Sequence, residues 1–453
     1  MFKTLKNAWR IPELKGKLLF TLLIIVLYRI GANIPVPYVN SAIFEGYNSA
    51  VSSGTILYYL DLLSGNALGR ATLFALGVSP YITSSIVMQL LTIAIPALER
   101  LSKQGDEGRK KITAITRLVT VALALVTAIG YAFYLDAGGL LIGELGWFNG
   151  AVIVACYCAG AALVMWLAEK INEKGIGNGI SIILFANIVA GLFGVADSIW
   201  RTVFTQGGFS GFNWVGLIVA LFVVVGIVAM VMIIVWMSDA ERRIPIQYAK
   251  RVVGRKMYGG QNTNLPLKVN MAGVMPIIFA NSIVAIPATI TSFMKNQENW
   301  FYKLVNNWFN YNTLPYLLIF LILLIAFAFF YVAISFNPVE VANNIKSNGG
   351  AIPGIRVGRP TVVYIKKILN RITLLGALII AIIAVVPMIF NLIDVQLLDG
   401  SKIAALAKIG SSVDLSRIAF SGSSVIILVG VALETVREIE AQMSLRNYKG
   451  FLD

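Results

Sequence analysis

Histidine is absent from all 453 residues. That removes imidazole as a general base, a proton relay or a metal ligand. Cysteine is nearly absent as well, with only Cys156 and Cys158. Two apart in an apolar run, they do not face each other on a helix, so they read as small packing residues and not as a disulfide. No Gly-x-x-x-x-Gly-Lys-Ser/Thr loop is present to cradle a nucleotide phosphate. Charge is scarce too: 13% of residues are Asp, Glu, Lys or Arg, against about 25% in soluble domains. Together these absences leave no expected cofactor and no expected metal, and they speak against an enzyme.

What is present is apolar. Hydrophobic residues make up 58% of the chain, and the mean hydropathy is +0.79. A helix that crosses a bilayer needs about 20 mostly apolar residues. Ten segments qualify, at 18–37, 71–96, 118–135, 149–168, 179–199, 214–237, 271–293, 315–336, 372–393 and 419–436. The start of the chain imitates a signal peptide. Its apolar run is as long as a full span, however, and no small-x-small cleavage site follows, so it reads as a retained first helix.

The net charge of +15 is one-sided. With ten spans both termini share a face. The segments on that face (1–17, 97–117, 169–178, 238–268, 337–371 and 437–453) hold 29 of the 37 Lys and Arg residues. The positive-inside rule then makes the termini cytoplasmic. Attraction to anionic headgroups accounts for the bias. It does not account for two basic loops, 238–268 and 337–371, several times longer than the usual ~4–6 residue connection. Loops of that length point to a docking surface.

Several spans suit lipid poorly. The second carries Ser79, Pro80, Thr83, Ser84, Ser85, Gln89 and Thr92; the seventh carries Gly273, Pro276, Asn281, Ser282 and Pro287. The fifth opens on Gly-Ile-Gly-Asn-Gly (175–179), and the tenth contains Ser421, Gly422, Ser423 and Ser424. Polar groups and proline-freed carbonyls are tolerated at membrane depth where they face protein or water. Gly77-Val-Ser-Pro-Tyr-Ile82 also matches Gly273-Val-Met-Pro-Ile-Ile278. Spans two and seven are five apart, as are spans five and ten. That pattern predicts two five-helix halves of inverted topology, residues 1–210 and 211–453, with the interrupted helices flanking a midplane site.

The expected path is lined by isoleucine: Ile82, Ile86, Ile188, Ile278 and Ile427. An apolar constriction stops water and ions by dewetting. Periodicity alone leaves open that isoleucine is simply common in membrane helices. Arg29 and Glu434 fall inside the spans, and Asp197 sits near the end of the fifth. A mid-helix arginine costs about 2.5–3.5 kcal/mol to insert, so Arg29 should face protein or water. The first long loop ends in an apolar stretch, Ile56 to Leu63, broken by Ser64, Gly65 and Asn66. It is too short to span and reads as re-entrant, with an interfacial piece as the alternative.

These stretches resemble the SecY family over essentially the whole chain. The match is carried by Arg29-Ile-Gly-Ala-Asn-Ile-Pro-Val-Pro37, Phe74-Ala-Leu-Gly-Val-Ser-Pro-Tyr-Ile82, Gly175-Ile-Gly-Asn-Gly-Ile-Ser181, Leu265-Pro-Leu-Lys-Val-Asn-Met-Ala-Gly273 and Ile352-Pro-Gly-Ile-Arg356. The resemblance implies an all-α membrane protein of ten helices around an hourglass pore that conducts unfolded secretory polypeptides and releases membrane helices sideways. It implies that the five isoleucines form the pore ring and that residues 57–70, including Leu60, Leu62, Leu63, Ser64, Gly65 and Asn66, form a plug. Gln89, Thr92, Asn281 and Ser282 would be the polar cluster of a lateral gate between spans two and seven. Arg356, with Arg255 and Lys256, would receive the SecA motor or ribosomal RNA. Other implied partners are the small SecE and SecG subunits, signal sequences, nascent chains and lipid, at the bacterial cytoplasmic membrane. A small-solute transporter is the main rival, although the nearly charge-free interior offers it no coupling-ion site.

Overall fold

A computed structural model describes residues 2–40, 61, 64–143, 146–204, 214–248, 251–253, 256–258, 262–292, 299–309, 313–393 and 422–449. Among the described residues, ten helices of sixteen residues or more occupy the ten expected spans. They are α2 (Pro12–Gly31), α3 (Ser79–Ala94), α5 (Asp106–Ala137), α6 (Trp147–Lys174), α7 (Gly179–Phe204), α8 (Trp214–Asp239), α9 (Met275–Ser292), α11 (Leu314–Ser335), α13 (Arg359–Ile393) and α14 (Gly422–Lys449). The shorter helix α1 (Phe2–Trp9) precedes them, and α4 (Pro96–Ser102), α10 (Trp300–Trp308) and α12 (Pro338–Ser347) lie between them.

Length and hydropathy alone single out Asp106–Asp136, Trp147–Lys174, Leu314–Ser347 and Arg359–Val386 as able to cross a bilayer, with the bent pair α3–α4 as a fifth. Gly179–Phe193, Val224–Asp239 and Met275–Thr291 are apolar but shorter. The charges Lys15, Lys17 and Arg29 on α2, and Glu434, Arg437 and Glu438 on α14, dilute the other two.

Two expected spans begin later than their hydropathy. Residues 71–78 and 271–274 are turns, and α3 and α9 start at Ser79 and Met275. Proline is the second residue of each helix, where its missing N–H is an orphan in any case. Three helices also run on past their apolar cores: α5 from residue 106, α13 from residue 359 and α14 to residue 449. Much of the basic terminus side is therefore helix extension. The bend of 104° between α3 and α4 falls at Ile95, whose extended backbone precedes Pro96.

Sequence reading gave no strands, and the structure adds five short ones within the two long basic loops. They are β1 (Glu241–Tyr248), β2 (Arg251–Val253), β3 (Lys256–Tyr258), β4 (Asn262–Lys268) and β5 (Gly350–Ala351). β1 pairs antiparallel with β4 and, through Gln247 and Tyr248, with β5; β2 and β3 pair with each other. The two loops thus share one sheet. Ile244, Ile246 and Leu267 from the first pack with Ala342, Ile345 and Ile352 from the second in a single buried cluster, joined by Ile365 and Ile372 of α13.

Lipid offers helices no hydrophobic gain on association, so close backbone approach carries much of the packing. A Cβ added at Gly160 would overlap the carbonyl of Leu73, and one at Gly179 would overlap that of Ala168. α11 shows the division of faces. Leu314, Leu318 and Ile322, four apart, are exposed, while Tyr316, Phe320 and Leu324 are buried.

Candidate functional site

The five isoleucines come from four helices: Ile82 and Ile86 from α3, Ile188 from α7, Ile278 from α9 and Ile427 from α14. None is more than 6% exposed, and all five belong to one buried apolar cluster. α3 packs on α9, α9 on α14, and α14 on α7. None of these side chains points out toward the lipid face.

Polar atoms without partners share the same helix faces. Asn281 lies three residues after Ile278, and Ser424 three before Ile427, a spacing that places each pair side by side. Asn281 Nδ2 and Ser424 Oγ are buried with no hydrogen-bond partner among the described residues. Leaving such a group unpaired costs about 1–3 kcal/mol.

The proposed gate residues sit on two helices in contact, α3 and α9, but they do not bond to one another. Thr92 donates to the Met88 carbonyl (2.7 Å), Ser282 to the Ile278 carbonyl (2.8 Å), and Gln89 Nε2 to Ser85 Oγ (3.4 Å). Gln89 is exposed, Thr92 and Ser282 are half-buried, and Asn281 is buried. Each hydroxyl is satisfied within its own helix, so parting the two helices breaks none of these bonds.

Of the expected plug residues, Ser64, Gly65 and Asn66 are placed; Leu60, Leu62 and Leu63 lie outside the described residues. Asp61 and residues 64–72 form a compact knot. Asp61 accepts from Gly69 N (2.6 Å) and, at 3.5 Å, from Ser64 Oγ, while its carbonyl accepts from Asn66 N (2.9 Å). Burial pushes the Asp61 carboxyl up to about 6, against the opposing pull of Gly69, Ser64 and Arg70. Gly65, Asn66 and Ala71 all have left-handed backbone, with φ of 71°, 66° and 48°. Four side chains hold this knot by its carbonyls: Tyr28 at Ser64 (3.4 Å), Arg29 at Gly65 (3.4 Å), Tyr131 at Leu68 (2.7 Å) and Tyr157 at Ala71 (3.4 Å). Sequence reading singled out Arg29 but missed Asp61 and the three tyrosines. The tyrosines lack any distinguishing local pattern, and Asp61 stands out only as a charge inside an apolar stretch.

On the basic side, Arg356 is exposed in the turn after β5, and its carbonyl accepts from Thr361 Oγ1 (2.9 Å). Lys256 begins β3, and Arg255 lies outside the described residues. Among the described residues no group of three metal-ligating side chains occurs.

The SecY family profile matches residues 72–436. The protein translocase subunit SecY of Streptomyces coelicolor is 43% identical over 462 residues, covering all of both chains. The solved structure of a protein-conducting channel superposes with a TM-score of 0.60 over 96% of each chain at 18% identity. A SecY protein whose plug domain stabilises the closed channel and maintains a membrane seal superposes at 0.58, with 19% identity and the same coverage. The two solved structures share the fold, and the profile and the full-length identity establish that this chain belongs to the SecY family of protein translocase subunits.

Proposed function

We propose that this chain forms the pore through which unfolded secretory polypeptides cross the bacterial cytoplasmic membrane, and that it releases membrane-protein helices sideways into the bilayer. The observation that supports the reading is the burial of Ile82, Ile86, Ile188, Ile278 and Ile427, from four helices, within one apolar cluster, with unpartnered polar atoms on two of the same helices. Branched apolar side chains can yield around a moving chain and close behind it, and the constriction they leave expels water.

Residues 1–210 and 211–453 act as the two halves of the pore, with both termini cytoplasmic. A signal sequence enters between α3 and α9, where Gln89, Thr92, Asn281 and Ser282 soften the contact. Residues 57–70 plug the opposite side at rest. The sequence carries no Gly-x-x-x-x-Gly-Lys-Ser/Thr phosphate loop, so the driving force is assigned to a partner. The shared sheet of the two basic loops, with Arg255, Lys256 and Arg356, offers the surface for the SecA motor or for ribosomal RNA, and an RNA contact should weaken with salt. SecE and SecG are the expected membrane partners.

Reconstituted vesicles test this reading against a solute transporter. Motor-driven import of an unfolded secretory protein, with no uptake of small solutes, is expected. Solute uptake by the protein alone, without polypeptide import, would overturn it.

A further inference from the structure

Arg29 and its neighbour Tyr28 make an arrangement that pore and plug alone do not require. The Arg29 guanidinium donates to two backbone carbonyls at once, Gly65 of the plug segment (3.4 Å) and Ala186 of α7. The Tyr28 hydroxyl donates to the Ser64 carbonyl (3.4 Å) and accepts from Asn187 Nδ2 (3.0 Å). Two adjacent residues of α2 therefore reach two adjacent carbonyls of the plug segment and two adjacent residues of α7. The next residue of α7 is Ile188.

The arrangement is closely packed. Tyr28 is fully buried and stacked on Phe74, with ring centroids 5.4 Å apart. The Arg29 guanidinium lies 6.0 Å from the Tyr28 ring centre. A Cβ at Gly65 would come within 2.7 Å of Arg29 Nη1 and 2.8 Å of Asn187 Oδ1, so the close approach itself requires glycine there. Both plug-side acceptors are main-chain carbonyls, so the hold does not depend on the plug's side chains.

We propose that Tyr28 and Arg29 form a bracket that ties the stem of the plug segment to the turn of α7 bearing Ile188, so that displacing the plug also shifts the pore ring. Withdrawing the Ser64 and Gly65 carbonyls would strand both donors in a medium of low dielectric, where an unpaired donor is costly. Their bonds to Ala186 and Asn187 would then carry the readjustment into α7. Tyr28 and Arg29 are positioning residues in this account. The inference rests on the reading of Ile188 as a ring residue.

The test is resting ion conductance of the purified channel complex in planar bilayers, with thermal unfolding as control. Arg29→Lys keeps the charge but replaces the planar fork with a single ammonium head. It should raise resting conductance about fivefold with little change in unfolding temperature, and Tyr28→Phe should do the same to a smaller degree. Combined with Ile188→Gly, either change should add much less than its separate factor, because the ring it acts through is already open. Multiplying factors, or parental conductance in both bracket variants, would overturn the bracket. If Ile188→Gly alone leaves conductance unchanged, the ring reading fails and the bracket falls with it. Should Arg29→Lys not assemble, Tyr28→Phe answers the same question.

Discussion

Gly77 and Gly273 occupy equivalent places in the two halves of the chain and share one backbone conformation, with φ of 54° and 63°. Each is followed by a valine whose carbonyl accepts from the residues three and four further on: Tyr81 and Ile82 in one half, Ile277 and Ile278 in the other. The hexapeptide repeat visible in the sequence is therefore also a repeat of structure. In each half it aims an isoleucine, Ile82 or Ile278, into the same buried cluster.

Alanine at either glycine should cost about 1–2 kcal/mol of backbone strain, since a Cβ is disfavoured at positive φ. Gly273 has open space around it, and the nearest atom to a Cβ at Gly77 is 3.6 Å away, in Ser64. Sterics should therefore add little. Thermal unfolding of Gly77→Ala and Gly273→Ala should show similar losses; no loss at either would remove the conformational argument.

The Gly175-Ile-Gly-Asn-Gly179 stretch should be less forgiving. A Cβ at Gly179 would run into the backbone of α6, whereas one at Gly226 meets nothing within 4 Å. Gly179→Ala should lower the unfolding temperature markedly or prevent assembly, and Gly226→Ala should not. Equal behaviour of the two variants would show that the α6–α7 contact is looser than the structure has it.

Asp61 predicts a pH dependence with a definite sign. Its buried carboxyl titrates near 6, above the ordinary value of about 3.9 expected once the segment is released to water. The knotted segment therefore binds the proton more tightly, and its stability grows as external pH falls from about 7 to 5. Arg70 on its own segment and Tyr131 of α5 are the groups that feel this charge. Resting conductance should fall several-fold over that range, and Asp61→Asn should abolish the dependence. A rise on acidification would contradict the assignment.

Reversing Arg356 to Glu should cut motor-driven export several-fold at normal expression, because the residue is exposed on the turn that follows the shared sheet. Undiminished export would exclude this turn from the docking surface.

The helices were legible because hydropathy over twenty residues is a strong signal, and the burial of the five isoleucines because each lies in an interrupted or polar-bearing span that suits lipid poorly. The sheet was not. Pro245 in β1 and Pro266 in β4 argue against strands, and the alternation of a buried face is confined to two short pairs, Ile244 and Ile246 in β1 and Leu265 and Leu267 in β4. β5 is just two residues long and pairs across about a hundred residues of chain, which no local pattern announces. The carbonyl contacts of Tyr28, Arg29, Tyr131 and Tyr157 were illegible for a different reason: main-chain acceptors leave no mark on the sequence that presents them. The polar residues proposed for the gate stood out by composition, and they bond within their own helices.

The central claim is that one constriction grips the passing chain. Photo-reactive residues at positions 82, 278 and 427, tested one at a time against a secretory protein stalled halfway, address it most directly. The same short stretch of the stalled chain should link to all three positions. Links to lipid alone, or to widely separated stretches from each position, would contradict the account.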